Sequence, residues 1–291
     1  MVSALKAKRQ TTNVPASEPL SLQPRAVLLF DIDGVIRDVS GSYRRAIIET
    51  VHHFGGWRPE PAQIDALKAE GHWNNDWQAS LELLRRRGLQ PLPSLDTVVD
   101  VFSQLYFGGD PDGDPSGWKG FIGSEPLLVQ QGFFQTLEEA GIAWGFVSGA
   151  EPPSCRYVLQ ERLGLVDPPL IAMGEAPEKP DPTGFLRLAL TLGTTPSGGA
   201  LPVAYLGDTV ADVHMVMAAR RERPDLTLLS LAVAPPHLHG PELASARARY
   251  EERLRSAGAD RVLPSTASLE PARLLNWLGA GRLNAPSPPA S

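Results

Sequence analysis

VLLFDIDGVIRD (27–38) ends an unbroken apolar run on two aspartates one residue apart. Asp31 and Asp33 stand at i and i+2, so in a continuing strand both carboxylates would leave the same face and raise one another's pKa. A packed core has no use for that arrangement. At the carboxyl end of a buried parallel strand, however, the pair would face the crevice in which open α/β sheets bind ligands, where a divalent cation could neutralise it.

Working outward, further apolar runs of strand length recur at 142–147 (IAWGFV), 170–173 (LIAM), 203–206 (VAYL), 228–233 (LLSLAV) and 261–263 (RVL). Amphipathic stretches such as LLVQQGFFQTLEEAG and VADVHMVMAARRER lie between them. This alternation predicts an α/β protein with a mostly parallel, Rossmann-like sheet covered by helices. The interval between the first two runs breaks the pattern. Residues 43–54, 61–70, 76–88 and 95–107 read as helices with no strand between them, which predicts a helical insertion over the carboxyl edge of the sheet. The expected organisation is an N-terminal arm without fixed structure (1–24), a catalytic core (25–38 and 122–282), a helical cap (39–121) and a low-complexity tail (283–291).

The chain of 291 residues is 42% hydrophobic and carries a formal charge of −6. That balance argues against a nucleic-acid binder while leaving room for a small anion held by a local cationic site. Its longest apolar runs fall well short of the ~20 residues of a membrane span. The single cysteine, Cys155, cannot form an internal disulfide, which suits a reducing cytoplasm, and no neighbouring histidine activates it. The sequence sets no oligomeric state.

Polar groups gather just after the apolar runs: Asp31 and Asp33 after the first, Ser148 and Gly149 after the second, Lys179 in the loop beyond the third, and Asp208 and Asp212 after the fourth. A parallel sheet would bring these together across more than half the chain. An aspartate after one strand is by itself more often a turn or N-cap residue. The ordered set carries the argument.

FDIDGVI (30–36), FVSGA (146–150), EKPDP (178–182) and YLGDTVAD (205–212) resemble, in order, the four motifs of the haloacid dehalogenase superfamily. The helical insertion resembles the cap of the subfamily that includes phosphoglycolate phosphatase and β-phosphoglucomutase. DVSGSYRRAI (38–47) and the NNDW stretch are similar to an uncharacterised branch, which supplies no substrate. The resemblance implies Asp31 as nucleophile, Asp33 as general acid and then base, and Mg²⁺ held by Asp31, the backbone carbonyl of Asp33 and Asp208. It also implies phosphate contacts from Ser148, Gly149 and Lys179, with Asp212 orienting Lys179 or a metal-bound water.

Specificity is expected in the cap. In GHWNNDWQAS (71–80), Asn74, Asn75 and Trp77 suit a polyhydroxylated or ring-bearing leaving group, or else the segment merely caps and packs a helix, with Asp76 as N-cap. Arg37, Tyr43 and Arg44 are expected near the entrance. Related sequences often carry arginine soon after the second motif, where Ala150 and Glu151 stand here, leaving any substrate anion to another residue such as Arg156. DPDGDPSG (110–117) lacks the spacing of a calcium loop, and His237 and His239 lack a third ligand. The expected activity is a Mg²⁺-dependent phosphatase of small phosphomonoesters. A phosphomutase, and a non-catalytic metabolite-binding module, are the alternatives.

Overall fold

The computed structural model describes residues 23–70, 73, 75–196 and 198–283. The expectations for most of the N-terminal arm and the tail, and for Asn74, lie outside these residues. Six strands, β1 (Ala26–Phe30), β2 (Ile142–Val147), β3 (Leu170–Ile171), β4 (Val203–Gly207), β5 (Leu228–Val233) and β6 (Arg261–Leu263), form one sheet. Its order is β3-β2-β1-β4-β5-β6, and every neighbouring pair is parallel.

The continuous apolar character of β1 follows from its central place, since all five of its residues are fully buried. Alternate side chains separate to the two faces. Ala26, Leu28 and Phe30 join one core with Phe134, Phe146, Leu159 and Leu274, while Val27 and Leu29 join another with Phe185, Tyr205 and Met215. The first core is covered by α5 (Gln131–Glu139), α6 (Pro152–Arg156, continued by a π-helical stretch, Tyr157–Arg162) and α10 (Pro271–Leu283). The second is covered by α7 (Thr183–Gly193) and α8 (Val210–Glu222). A further helix, α9 (Ala244–Ala257), packs on α8 through Leu254 and Val213.

Between β1 and β2 the described chain folds into α1 (Tyr43–Gly55), α2 (Pro61–Ala69), α3 (Asp76–Arg86) and α4 (Leu95–Tyr106). Their apolar stripes bury against one another in a separate cluster that includes Ile47, Val51, Leu84, Phe102 and Tyr106. This cluster is distinct from the two that cover the faces of the sheet. Among the described residues, no helix is long and apolar enough to cross a membrane.

Candidate active site

The sheet reverses its winding direction between β1 and β4, and the carboxylates lie just past these two strands. Asp31 follows Phe30, and its backbone N–H donates to Leu206 O at 2.9 Å, so the two strand ends are held side by side. The chain then turns sharply at Gly34, whose φ is +74°. A Cβ there would stand 2.0 Å from Asp208 Oδ2, so the glycine is required both by its left-handed backbone and by the close approach of the acid. Gly207 has a similar role beside Asp212, where a Cβ would meet the Asp212 Cβ at 2.4 Å.

Asp31, Asp208 and Asp212 each offer a carboxylate oxygen within 4.8 Å of the others. Asp212 is already fully engaged. Its Oδ1 accepts from Lys179 Nζ at 2.8 Å and from the Tyr205 hydroxyl at 3.0 Å, and its Oδ2 accepts from Thr209 N at 3.0 Å and Thr209 Oγ1 at 2.6 Å. Burial pulls its pKa upward, but Lys179 and Thr209 outweigh this and hold it below the ordinary carboxylate value. Lys179 Nζ also lies 2.9 Å from Asp31 Oδ2. Burial opposes the ammonium charge, yet Asp212 and Asp31 raise the Lys179 pKa above its usual range, so the lysine remains a cation bridging two acids.

Asp31 and Asp208 are differently placed. Burial raises Asp31 to about 6, with Lys179 opposing and Asp212 and Asp33 adding to the rise. Asp208 is pushed well up by burial and then by Asp212 and Asp31. Only 8% of each residue is exposed, and the Asp208 carboxylate accepts no hydrogen bond from the described residues. Two buried acids side by side, one lacking any donor of its own, form an oxygen donor set suited to a hard divalent cation.

Ser148 follows β2 at the same edge, with Phe30 and Phe146 in register one strand apart. Its N–H donates to Ile171 O at 2.9 Å, while its Oγ accepts from Ala150 N at 3.2 Å. Gly149 is exposed beside it, and Cys155 is buried below, its thiol pushed by burial to about 12 and therefore inert.

Asp33 reaches a different set of partners. Its Oδ1 accepts from Arg37 Nε at 2.7 Å. The sequence reading places Arg37 near the entrance, but the structure buries it completely, because Asp33, Ser154 and Glu125 surround the guanidinium. Tyr43 is half-buried and stacks on Tyr106 at 4.4 Å between ring centroids, against the apolar cluster of the inserted helices. Arg44 is half-buried on α1, and Arg156 is exposed on α6.

The cap segment also resolves toward packing. Asn75, rather than Asp76, is the N-cap of α3: its Oδ1 accepts from Trp77 N and Gln78 N, both at 3.0 Å. Asp76 pairs instead with Lys68, and Trp73 and Trp77 pack against the apolar cluster of the cap. The buried partners that sequence reading missed are Tyr205, Tyr106, Glu125 and Ser154. For Tyr205 a signal existed, since a phenol in a central buried strand must find a partner for its hydroxyl.

Residues 26–220 match the haloacid dehalogenase-like hydrolase family. The chain belongs to this family and is an enzyme of the hydrolase class. Solved structures of similar fold include a phosphonoacetaldehyde hydrolase-like protein from Oleispira antarctica, with TM-score 0.62 and 16% identity over 97% of this chain and 100% of the other. A HAD hydrolase of family IA, variant 3, from Entamoeba histolytica has TM-score 0.59 and 12% identity over 87% and 99%. Phosphatase Tt82 from Thermococcus thioreducens has TM-score 0.55 and 20% identity over 79% and 99%. In sequence, the chain is 34% identical over 197 residues to a Phytophthora nicotianae protein named imidazoleglycerol-phosphate dehydratase. That match takes in 65% of this chain and only 40% of the relative's length.

Proposed function

We propose that this member of the family is a Mg²⁺-dependent phosphatase that hydrolyses a small phosphomonoester through a phosphorylated Asp31. The observation that carries the reading is the pairing of Asp31 with Lys179 on one oxygen and the nearby Asp208, whose carboxylate oxygen lies within 4.8 Å and has no donor among the described residues. Asp31, Asp208 and the backbone carbonyl of Asp33 would hold the cation. Mg²⁺ supplies charge neutralisation, without which a phosphate dianion would be repelled by these carboxylates.

The chain's own groups then divide the work. Lys179 and the hydroxyl of Ser148, with the amide of Gly149, receive the phosphoryl oxygens. Asp31 attacks phosphorus, the ester P–O bond breaks, and Asp33 delivers a proton to the departing oxygen. In the second half Asp33 takes a proton from the water that attacks the aspartyl-phosphate, releasing inorganic phosphate and restoring Asp31. Asp212 and Tyr205 keep Lys179 pointed at the nucleophile. Asp33 favours an ester over a haloacid, because halide leaves without a proton and an alkoxide does not.

The substrate class is set more coarsely. The Phytophthora relative, most of which lies outside the matched stretch, is named for a reaction of an imidazole-bearing phosphate ester. This supports including such esters in a screen of small phosphorylated metabolites. A buried, unpaired thiol is consistent with a reducing, cytoplasmic location. The test is a phosphometabolite panel read for phosphate release with Mg²⁺ and with chelator. Mg²⁺-dependent release from at least one ester is expected, with transfer of the phosphoryl group to a second sugar hydroxyl marking a mutase instead. Halide release from 2-haloacids with no phosphate release across the panel would reject the reading.

A further inference from the structure

Arg37 is a cation with no exposed surface, in a loop whose business is carboxylate chemistry. Its fork is divided among three segments. Nε donates to Asp33 Oδ1 at 2.7 Å, Nη2 donates to Ser154 Oγ at 2.7 Å, and Nη1 lies 2.9 Å from Glu125 Oε2. The last contact is close but poorly directed, so neither Nη1 nor Glu125 Oε2 completes a hydrogen bond. Glu125 Oε1 accepts from the hydroxyls of Ser42 and Tyr106, and the Tyr106 hydroxyl lies 3.0 Å from Ser154 Oγ. Behind them Tyr43 stacks on Tyr106, with the Arg37 guanidinium 5.9 Å from the Tyr43 ring centre.

A buried ion cluster of this kind contributes little net stability, because desolvating the charges offsets most of their attraction. What it does supply is orientation. A guanidinium is planar and presents its donors in fixed directions, so an arginine tied at Ser154 and Glu125 leaves Nε little freedom. The Asp33 side chain, 28% exposed, is therefore held on one oxygen while the other stays available at the site. Glu125 balances the guanidinium charge. Arg37 can thus fix the direction of Asp33 without acting on it as an uncompensated cation. Ser42 and Tyr106 belong to the cap helices and their entry, Glu125 to the return into the core, and Ser154 to α6, so the same hub joins the general acid to the seam between cap and sheet.

We propose that Arg37 is a positioning residue for Asp33, using the Glu125–Tyr106–Ser154 seam to aim the carboxyl group at the departing ester oxygen. This rests on the phosphatase reading above. In the step concerned, the Asp31 O–P bond forms as the ester P–O bond breaks, and the proton on Asp33 passes to the ester oxygen. Misaiming the acid should matter in proportion to how badly the leaving group needs that proton.

The experiment compares p-nitrophenyl phosphate with p-nitrobenzyl phosphate, esters of similar size whose leaving groups are a stabilised phenolate and a basic alkoxide. kcat/KM is read because it reports steps up to formation of the aspartyl-phosphate. The variant R37M/E125Q removes the Arg37–Glu125 pair as a unit and leaves only the partly exposed Asp33 without its partner, and Tm reports its folding. It is expected to lose about 10–100-fold on the benzyl ester, the scale of a displaced catalytic group. On the phenyl ester, which leaves without a proton, the loss should be less than about 3-fold. Arg37→Lys should recover part of the benzyl activity. Ser154→Ala, which removes only one anchor, gives the same bias at smaller amplitude and serves if the double variant does not fold. Equal losses on both esters in a folded variant, or unchanged kinetics, would overturn the role of Arg37 while leaving the phosphatase reading intact. A wild-type protein inert toward both esters, and toward the wider panel, would remove that reading and this one with it.

Discussion

Asp31 and Asp33 look alike in the sequence and are unlike in the fold. One lies between a lysine and an acid without a donor of its own, and the other is held through one oxygen by a buried arginine. Their replacements should therefore differ. Asp31→Asn is expected to abolish turnover on every ester with the fold retained, since the amide fits the same space but cannot attack phosphorus. Asp33→Asn should slow alkyl esters by about 10²–10⁴-fold, the range of general acid–base catalysis, and p-nitrophenyl phosphate by less when aspartyl-phosphate formation is timed by rapid quench. Identical losses on the two ester types would deny Asp33 the role of acid. Gly34→Ala makes a third point at this scale. The added methyl group has no room beside Asp208 and would sit on a left-handed backbone, so Mg²⁺ affinity, measured by calorimetry, should fall even in protein that still folds.

The strands and helices were legible because burial imposes periods that single residues do not. β1 has no polar member because both its faces are covered, and α1 and α4 show their apolar spacing because each has one buried side. The ordered polar residues after successive strands were legible for a related reason: a parallel sheet sends its carboxyl ends to one edge. Arg37 was not. Its partner Ser154 is 117 residues away, and a charged residue after a turn carries no mark of burial until the cap closes over it. Asn75 shows a second limit, since an amide suited to gripping a hydroxyl is equally suited to capping a helix, and here its oxygen accepts two backbone N–H groups. Asn75→Ala should accordingly lower stability by about 1 kcal/mol, visible in urea unfolding, and should change kcat/KM on native and reporter esters alike. A selective loss on the native ester would restore Asn75 to the binding surface.

At the scale of the whole molecule, the acidic site must oppose folding when no cation is present. Asp31, at about 6 in the fold, and Asp208, also raised, lie above the ordinary value of 3.8. Between those values the folded protein binds more protons than the unfolded chain, so its stability falls as pH rises through that window. The Lys179 pKa is raised and that of Asp212 lowered, so both groups stay charged across it. In chelator, Tm should therefore decline from about pH 4 to about pH 6, and Mg²⁺ should raise Tm more at the higher pH, where protons no longer compete for Asp31. A Mg²⁺ effect independent of pH would place the cation elsewhere. The central claim is that Asp31 itself becomes phosphorylated, and it can be read directly. Protein quenched in acid during turnover of a ³²P-labelled ester, reduced with borohydride and mapped by mass spectrometry, should carry homoserine at position 31 and nowhere else. Steady phosphate release with no modification at that position, or with the label on another residue, would contradict the account.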